Sequence, residues 1–509
     1  MTTAIAQAPT PRAARTSLVA RLATVLFAPV DIAALIFFRI AFGMLMTWEV
    51  CRYFAYGWIG RYWIEPQFLF KYYGFSWVHP WPGNGMYIHW ALLGVLAVFI
   101  TTGFLYRFAV PLFFLLFTHS FLLDQALYLN HLYLVCLLAL LLSFMPANRA
   151  FSIDAWLWPR IRSQVTPAWT LWMLRFQIGV VYFYGGVAKI SPDWLRGEPM
   201  RAWLARRTDF PLIGQFFRQE WAAYFFSYGG LLLDLLIVPF LLWKRTRIAA
   251  LIVAILFHIM NARMFQIGIF PWLGIAATAM FFPPDWPRRV LGWLRRSEGR
   301  ASARPHLVVG MRRGSRRAEA RPSETKTIES RLPKYWPAAL ALLAGYLAVQ
   351  VLLPLRHLLY PGRADWTYEG HRFSWRMKLH DRDASARFYV IDENGYRESE
   401  VSPRAFLRRL QASKMAARPD MILQFAHYLR DKLPRSGPKP LRVEARVLAS
   451  LNGRKSQLLV DRNVNLAAEP RTLRHMPWIL PLTEPLPDGR TERKTREPEP
   501  TDTDEQSAD

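Results

Sequence analysis

Residues 31–50 read DIAALIFFRIAFGMLMTWEV, an apolar run with Arg39 as the charge in its middle. As a helix it rises 1.5 Å per residue and spans about 30 Å, the depth of a bilayer's hydrocarbon core. Pro29 lies just before it, and Asp31 is placed to cap its start. The run ends in Trp48 and Glu49 without a small-residue cleavage pattern, so it reads as a membrane span and not as a removable signal peptide. Just before it, SLVARLATVLF has the pattern of an interfacial helix.

Further apolar runs occupy 87–105, 108–123, 131–146, 168–187, 221–243, 248–282 and 336–355. Most are too long and too apolar for soluble core helices. The 248–282 run is long enough for two short crossings broken near Gly268 and Pro271. The pattern predicts a polytopic α-helical membrane protein with eight or nine transmembrane helices.

Composition divides the same way. The 509 residues carry a net charge of +27, yet only 20% are charged, 52% are apolar and 15% are aromatic. So many aromatics exclude a disordered chain, and two cysteines exclude a disulfide scaffold. The basic residues gather beside the spans, where a cytoplasmic leaflet is anionic, and no nucleic-acid motif accompanies them. The expected partner is therefore a lipid bilayer and not nucleic acid.

Orientation follows from arginine and lysine in the short loops. Arg12, Arg15 and Arg21 precede the first span, and WPRRVLGWLRR and MRRGSRR follow the seventh run. Both ends of that stretch are expected in the cytoplasm, which sends the chain beyond the last span to the outer side of an inner membrane. The segment divides as 1–30 cytoplasmic and interfacial, 31–285 transmembrane, 286–335 basic linker, 336–355 last span, 356–484 extracytoplasmic, and 485–509 a polar, disordered tail. The outer part is expected to be a small α+β domain. RFYVIDENGYRE turns at Asn394-Gly395, PDMILQFAHYLRDKL is an amphipathic helix, and LRVEARVLASLNGRKSQLLVDRNV turns at Asn452-Gly453.

Ionisable residues inside spans are costly unless paired or functional. Arg39 and Asp234 read as a structural ion pair. Asn130 and His131 open the fourth span, as a cap and its neighbour or as site residues. His258 and Asn261 share a helix face and point inward or to a polar cavity, with Arg263 at the same break. Lys189 ends the fifth span, in VVYFYGGVAKISPDWLRGEPM, on the side where the positive-inside rule would not place it. Arg196, Arg201, Arg206 and Arg207 follow in the same outer loop. Half-buried beside Gly185-Gly186, Lys189 is either a snorkelling interface residue or a base usable near neutral pH. Cys51 and Cys136 read as two buried apolar thiols, with a disulfide between them as the alternative. His357, His371 and His380 lack the short spacing of metal ligands, so no metal is expected.

The stretch GGVAKISPDWLRGEPM resembles the vitamin K-dependent γ-glutamyl carboxylases and their bacterial relatives. So do PVDIAALIFFRIAFGMLM, LNHLYLVCLLALLLSFMPANRAFSID, GGLLLDLL, FHIMNARMFQIGIF, PLRHLLYPGRADWTYEGHRFSWRMKLHDR, MILQFAHYLRDKL, and the run from VLASLNGRKSQLLVDRNV to MPWILPL. The similarity covers about 29–285 and 336–482, leaving out the linker and both termini. It implies an enzyme that couples oxygenation of a vitamin K hydroquinone to its epoxide with carboxylation of a peptidyl glutamate. A menaquinol-type quinol fits a bacterium, O2 and CO2 are the co-substrates, and a glutamate-containing protein or peptide is the partner. The γ-carbon proton is too weakly acidic for a side chain, so a cofactor carries that step.

By residue, the resemblance makes Lys189 the initiating base and Asn130 and His131 the pair beside the quinone. It puts His258 in the same cavity, and Asn261, on the helix face of His258, is a further cofactor-binding candidate. His357 and His380 become outer-face histidines serving the reaction and the glutamate, and Arg206 or Arg462 contacts for the glutamate. Where the family often has two adjacent lysines this chain has Ala188-Lys189. Where the family has Asp-Pro-Arg-Val it has Asp461-Arg462-Asn463-Val464, and the cysteine of the animal outer domain is missing. A quinol epoxidase without protein carboxylation, and a membrane binding or transport protein, are the alternative readings.

Overall fold

The computed structural model describes residues 18–265, 267–301, 332–392 and 397–487. The Asn394-Gly395 turn, most of the basic linker and the tail beyond 487 lie outside the described residues.

The principal helices are α1 (Leu18–Phe27), α2 (Ala33–Ala55), α3 (Gly85–Thr102), α4 (Tyr106–Leu122) and α5 (Asn130–Phe144). They continue as α6 (Ala168–Ala188), α7 (Glu220–Leu242), α8 (Arg247–Phe265), α9 (Phe270–Thr278), α10 (Trp286–Ala301) and α11 (Trp336–Leu355). Five of these segments are long and apolar enough to cross a membrane, namely α2, α3, α7, α8 and the stretch that begins with α11. Helices α1, α4 and α5 are apolar but shorter. Asp31 accepts the Ala33 N–H at 2.7 Å as α2 begins. The 248–282 run breaks between α8 and α9, where Gly268 takes φ +57°.

Arg39 does not meet Asp234. Its guanidinium, 1% exposed, donates to the carbonyl oxygens of Ala147 at 2.9 Å, Phe151 at 2.6 Å and Thr101 at 3.4 Å. It serves carbonyls near helix ends that have no intrahelical partner, while Asp234 faces a different helix. Cys136 is buried, Cys51 is exposed, and both are free thiols.

After α11 the chain builds a four-stranded antiparallel sheet in the order β2-β1-β3-β4, from β1 (Arg382–Asp392), β2 (Arg397–Val401), β3 (Arg442–Leu451) and β4 (Gln457–Leu458). Phe388 pairs with Ala445 and Val390 with Val443, so small and large apolar residues alternate onto one face. Helix α12 (Arg409–Ala416) and the amphipathic α13 (Pro419–Lys432) pack there, burying Met415, Met421, Ile422, Phe425 and Leu429. Asn452 and Gly453, with φ +53° and +78°, turn the chain out of β3.

The helical and sheet parts interlock. Trp375, from the loop before β1, is 1% exposed and belongs to the helical core, where it stacks on Tyr133 at 5.0 Å. In return, Phe70 and Ala126 from the helical part sit in the core of the sheet. Loop 368–380 therefore lies between the two parts, pinned from both sides.

Candidate active site

Helices α6 and α7 meet through Gly185 and Gly186. A Cβ on Gly186 would fall 2.7 Å from Leu235 Cδ2, and one on Gly185 would fall 3.1 Å from Asp234 Oδ2. Only glycine lets the helices come so close, and the contact brings Asp234 to the end of α6. There Lys189 Nζ donates to Asp234 Oδ2 at 2.5 Å and to the Gly185 carbonyl at 3.2 Å. Both side chains are buried, at 10% and 8% exposed, and the ammonium lies 5.4 Å from the centre of the Trp194 ring. Asp234 is thus a member of the site that its sequence reading assigned to another partner.

Two turns earlier on the same face of α6, about 10 Å along the axis, Tyr182 OH lies 2.7 Å from His258 Nε2. The His258 ring fits because position 274 is glycine, where a Cβ would sit 2.3 Å from its Cε1. His258 Nδ1 is buried without a partner. Phe270 stands between His258 and His131, its ring centre 6.1 Å from one and 6.0 Å from the other. Asn261, partly buried, lies one turn on from His258.

Loop 368–380 packs against this group of residues. Asn130 Nδ2 donates to the Arg376 carbonyl at 3.2 Å, and Asn130 Oδ1 accepts from Tyr128 OH at 2.9 Å. The next residue, Met377, approaches the Gly185 position beside Asp234. Asn130 and Asp234 therefore flank a single dipeptide. His357 binds the Pro354 carbonyl through Nδ1 at 2.8 Å, and its Cα would be 2.5 Å from a Cβ on Gly370, which takes φ +67°. It braces the loop at Gly370.

The loop's backbone is strained. Tyr368, Phe373, Trp375 and Lys378 all have φ between +46° and +63°. Non-glycine residues pay for that conformation, and such residues cluster at sites where geometry matters more than stability. Residue type gave no sign of it.

Three residues beyond Met377, His380 reaches a second centre, built around Tyr368. The Tyr368 OH lies 2.6 Å from His380 Nε2, and His371 stacks on the Tyr368 ring at 4.5 Å. The guanidinium carbons of Arg382 and Arg418 stand 4.8 and 5.8 Å from the same ring. Burial, offset in part by Asp365 and reinforced by Arg382 and Arg376, pushes His380 down to about 4. Burial and the charge of His380 and Arg376 hold His371 well below its ordinary value. Both rings are neutral at pH 7, so arginines alone make this recess positive. His380 Nδ1, His371 Nε2, Arg376 Nε and Arg382 Nε and Nη2 are buried there without a partner.

Arg206 and Arg462 sit elsewhere. Arg206 makes an exposed ion pair with Asp381 at 2.8 Å, at the rim beside His380. Arg462 is exposed on the turn after β4, where Asn463 N–H donates to Asp461 at 2.9 Å. Among the described residues, no group of three or more His, Cys, Asp and Glu is arranged to hold a metal ion.

Asp193 fastens the sheet part to the loop that begins at Lys189. It accepts from Arg454 at 2.6 and 2.8 Å, from Arg363 at 3.0 Å and from Asn452 at 2.8 Å. Burial works against its charge, but the hydrogen bonds from Arg454, Arg363 and Asn452 outweigh it and hold the carboxyl far below the usual range.

A family model described as an HTTM domain matches residues 27–286, over half of the chain, and one described as the vitamin K-dependent gamma-carboxylase lumenal domain matches 336–485. The chain belongs to the vitamin K-dependent γ-glutamyl carboxylase family. No solved structure matches it. The family depends on vitamin K and acts on glutamate, and its HTTM domain is associated with membranes. Both matched domains are present, and the Lys189 and Tyr368 centres lie on either side of loop 368–380, which falls within the second match.

Proposed function

We propose that this protein is a membrane-embedded γ-glutamyl carboxylase that couples oxygenation of a vitamin K-type hydroquinone to carboxylation of a peptidyl glutamate. The observation that carries the reading is the buried Lys189–Asp234 pair under a strained loop whose other side is an arginine-lined recess.

The residues around Lys189 and His258 suit a quinol. Phe270 and Trp194 are apolar neighbours, Lys189 is held by a carboxylate, and His258 Nδ1 is an orphaned polar atom for a ring oxygen. When bound, the hydroquinone supplies, through its oxygenation, the base that a γ-carbon proton requires. Lys189 Nζ, as a neutral amine after passing its own proton to Asp234 Oδ2, would take up the hydroquinone's proton, and Asp234 would keep the proton that Lys189 gave up. His131, His258 and Asn261 orient the ring oxygens. Asn130 holds the loop through the Arg376 carbonyl, and Met377 and Trp375 keep water out. In the recess, Arg382 and Arg418 with His380 bind the carboxylate of the substrate glutamate. CO2 is the second carbon substrate.

The same reading places α1 and the basic linker in the cytoplasm and the sheet part outside an inner membrane, with eight or nine crossings. Protection of the sheet part from protease added on the cytoplasmic side supports that topology, and its digestion there overturns it.

The decisive experiment supplies the reconstituted protein with labelled bicarbonate, a glutamate peptide and vitamin K hydroquinone. Labelled peptide and epoxide together support carboxylation. Epoxide without labelled peptide supports the quinol epoxidase reading instead.

A further inference from the structure

The recess holds more positive charge than one carboxylate can balance. Of the guanidinium groups around Tyr368, Arg372 is paired with Asp420 at 2.7 Å, and Arg376 is paired with Asp365. Arg382 and Arg418 have no such partner. Arg382 donates to the carbonyl oxygens of Asp365 and Trp366 at 3.2 and 2.8 Å, and Arg418 to that of Gln125 at 3.3 Å. Neither meets a carboxylate within ion-pair distance among the described residues, and both face the same tyrosine ring. Two guanidinium groups thus remain without an ion-pair partner among the described residues. A buried charge is held at a cost of several kcal/mol unless something pairs with it.

A substrate glutamate brings one negative charge and leaves one guanidinium unmet. We infer that the recess around Tyr368 is a site for a geminal dicarboxylate, two carboxylates on one carbon, with Arg382 and Arg418 each taking one of them. The inference rests on the carboxylase reading, because carboxylation replaces one γ C–H bond by a C–C bond to CO2 and turns the side chain into that group. The second guanidinium thus awaits a charge that exists only after the reaction. Tyr368 OH and the orphaned Nδ1 of His380 and Nε2 of His371 supply further hydrogen bonds. Tyr368, His371, His380, Arg382 and Arg418 are each partly exposed.

The test measures binding to the full-length protein in nanodiscs, without quinol. Its probes are ethylmalonate and butyrate, which differ only by one carboxylate in place of one hydrogen. Ethylmalonate is expected to bind at least about tenfold tighter, the increment that one charge-assisted hydrogen bond supplies. Arg382→Gln and Arg418→Gln are each expected to reduce that preference to below about threefold, whereas Arg387→Gln on the exposed face of β1 leaves it unchanged. Arg418→Lys keeps the charge and is expected to retain most of the preference, which guards against misreading a variant that folds poorly. Equal affinities in the wild-type protein overturn the inference, as does a preference that survives both glutamine variants. Because this assay involves no turnover, it separates from the labelled-bicarbonate experiment. Carboxylation with equal affinities sinks this proposal alone, and a preference without carboxylation upholds the dicarboxylate site while sinking the carboxylase reading.

Discussion

Lys189 Nζ and Asp234 Oδ2 lie 2.5 Å apart, both buried, where α6 and α7 touch through two glycines. Removing one partner strands a charge in the apolar interior. Lys189→Met and Asp234→Leu alone are each expected to cost about 3–5 kcal/mol, and the double variant to regain most of that. Epoxide formation behaves differently. It is expected to fall by about 10²–10⁴ in Lys189→Met and to stay low in the double variant. Recovery of both stability and turnover in the double variant would show that the pair is only structural.

The glycines make a separate prediction. Gly186→Ala sets a methyl group 2.7 Å from Leu235 Cδ2, so α6 and α7 must part or repack. A cost of about 1–3 kcal/mol is expected, with loss of epoxidation because Asp234 moves away from Lys189. Gly229→Ala, on the same helix as Asp234 but in open space, is the control. Thermal unfolding of both in detergent decides the matter.

Asp193 gives a pH signature. Its carboxyl is held below its unfolded value, so its contribution is complete above a pH of about 4 and fades as pH falls from there toward the folded-state value. Asp193→Asn is expected to lower the melting temperature at pH 7, with a gap from wild type that narrows below about pH 4. A gap that widens in acid would contradict this sign. The variant is also expected to loosen the sheet part, seen as faster protease cleavage between 188 and 220.

Arg206 and Arg462 test the recess from outside. An exposed ion pair contributes about 0–1 kcal/mol, so Arg206→Ala is expected to change the peptide KM by less than about fivefold. Arg462→Ala is expected to leave it unchanged. Arg382→Gln should raise it far more. A large effect at Arg462 would place the glutamate near the turn after β4.

Much of the helical part was legible because a bilayer demands long apolar runs, and a break at Gly268 is visible in any such run. Lys189 stood out because its charge sits where loop statistics disfavour it. The partner of Asp234 was not legible. Two opposite charges within spans invite pairing, but Arg39 spends its donors on carbonyls and the lysine takes the carboxylate. The recess was hidden for another reason. Arg382 opens a strand and Arg418 precedes a helix, far apart in the chain, and only the sheet brings both to Tyr368. Backbone strain at Tyr368, Phe373, Trp375 and Lys378 is a property of the folded loop and carries no compositional mark.

Loop 368–380 has one more consequence. Met377 lies by Gly185 beside Asp234, while His380, three residues later, reaches Tyr368, so at most about 11 Å of extended chain separates them. The helical part cut away before residue 336 would keep Lys189, Asp234 and His258 but lose Met377 beside them. On the proposed reading, the quinol and glutamate steps share this one loop, so a mutation that shifts it is expected to lower epoxide formation and peptide carboxylation together.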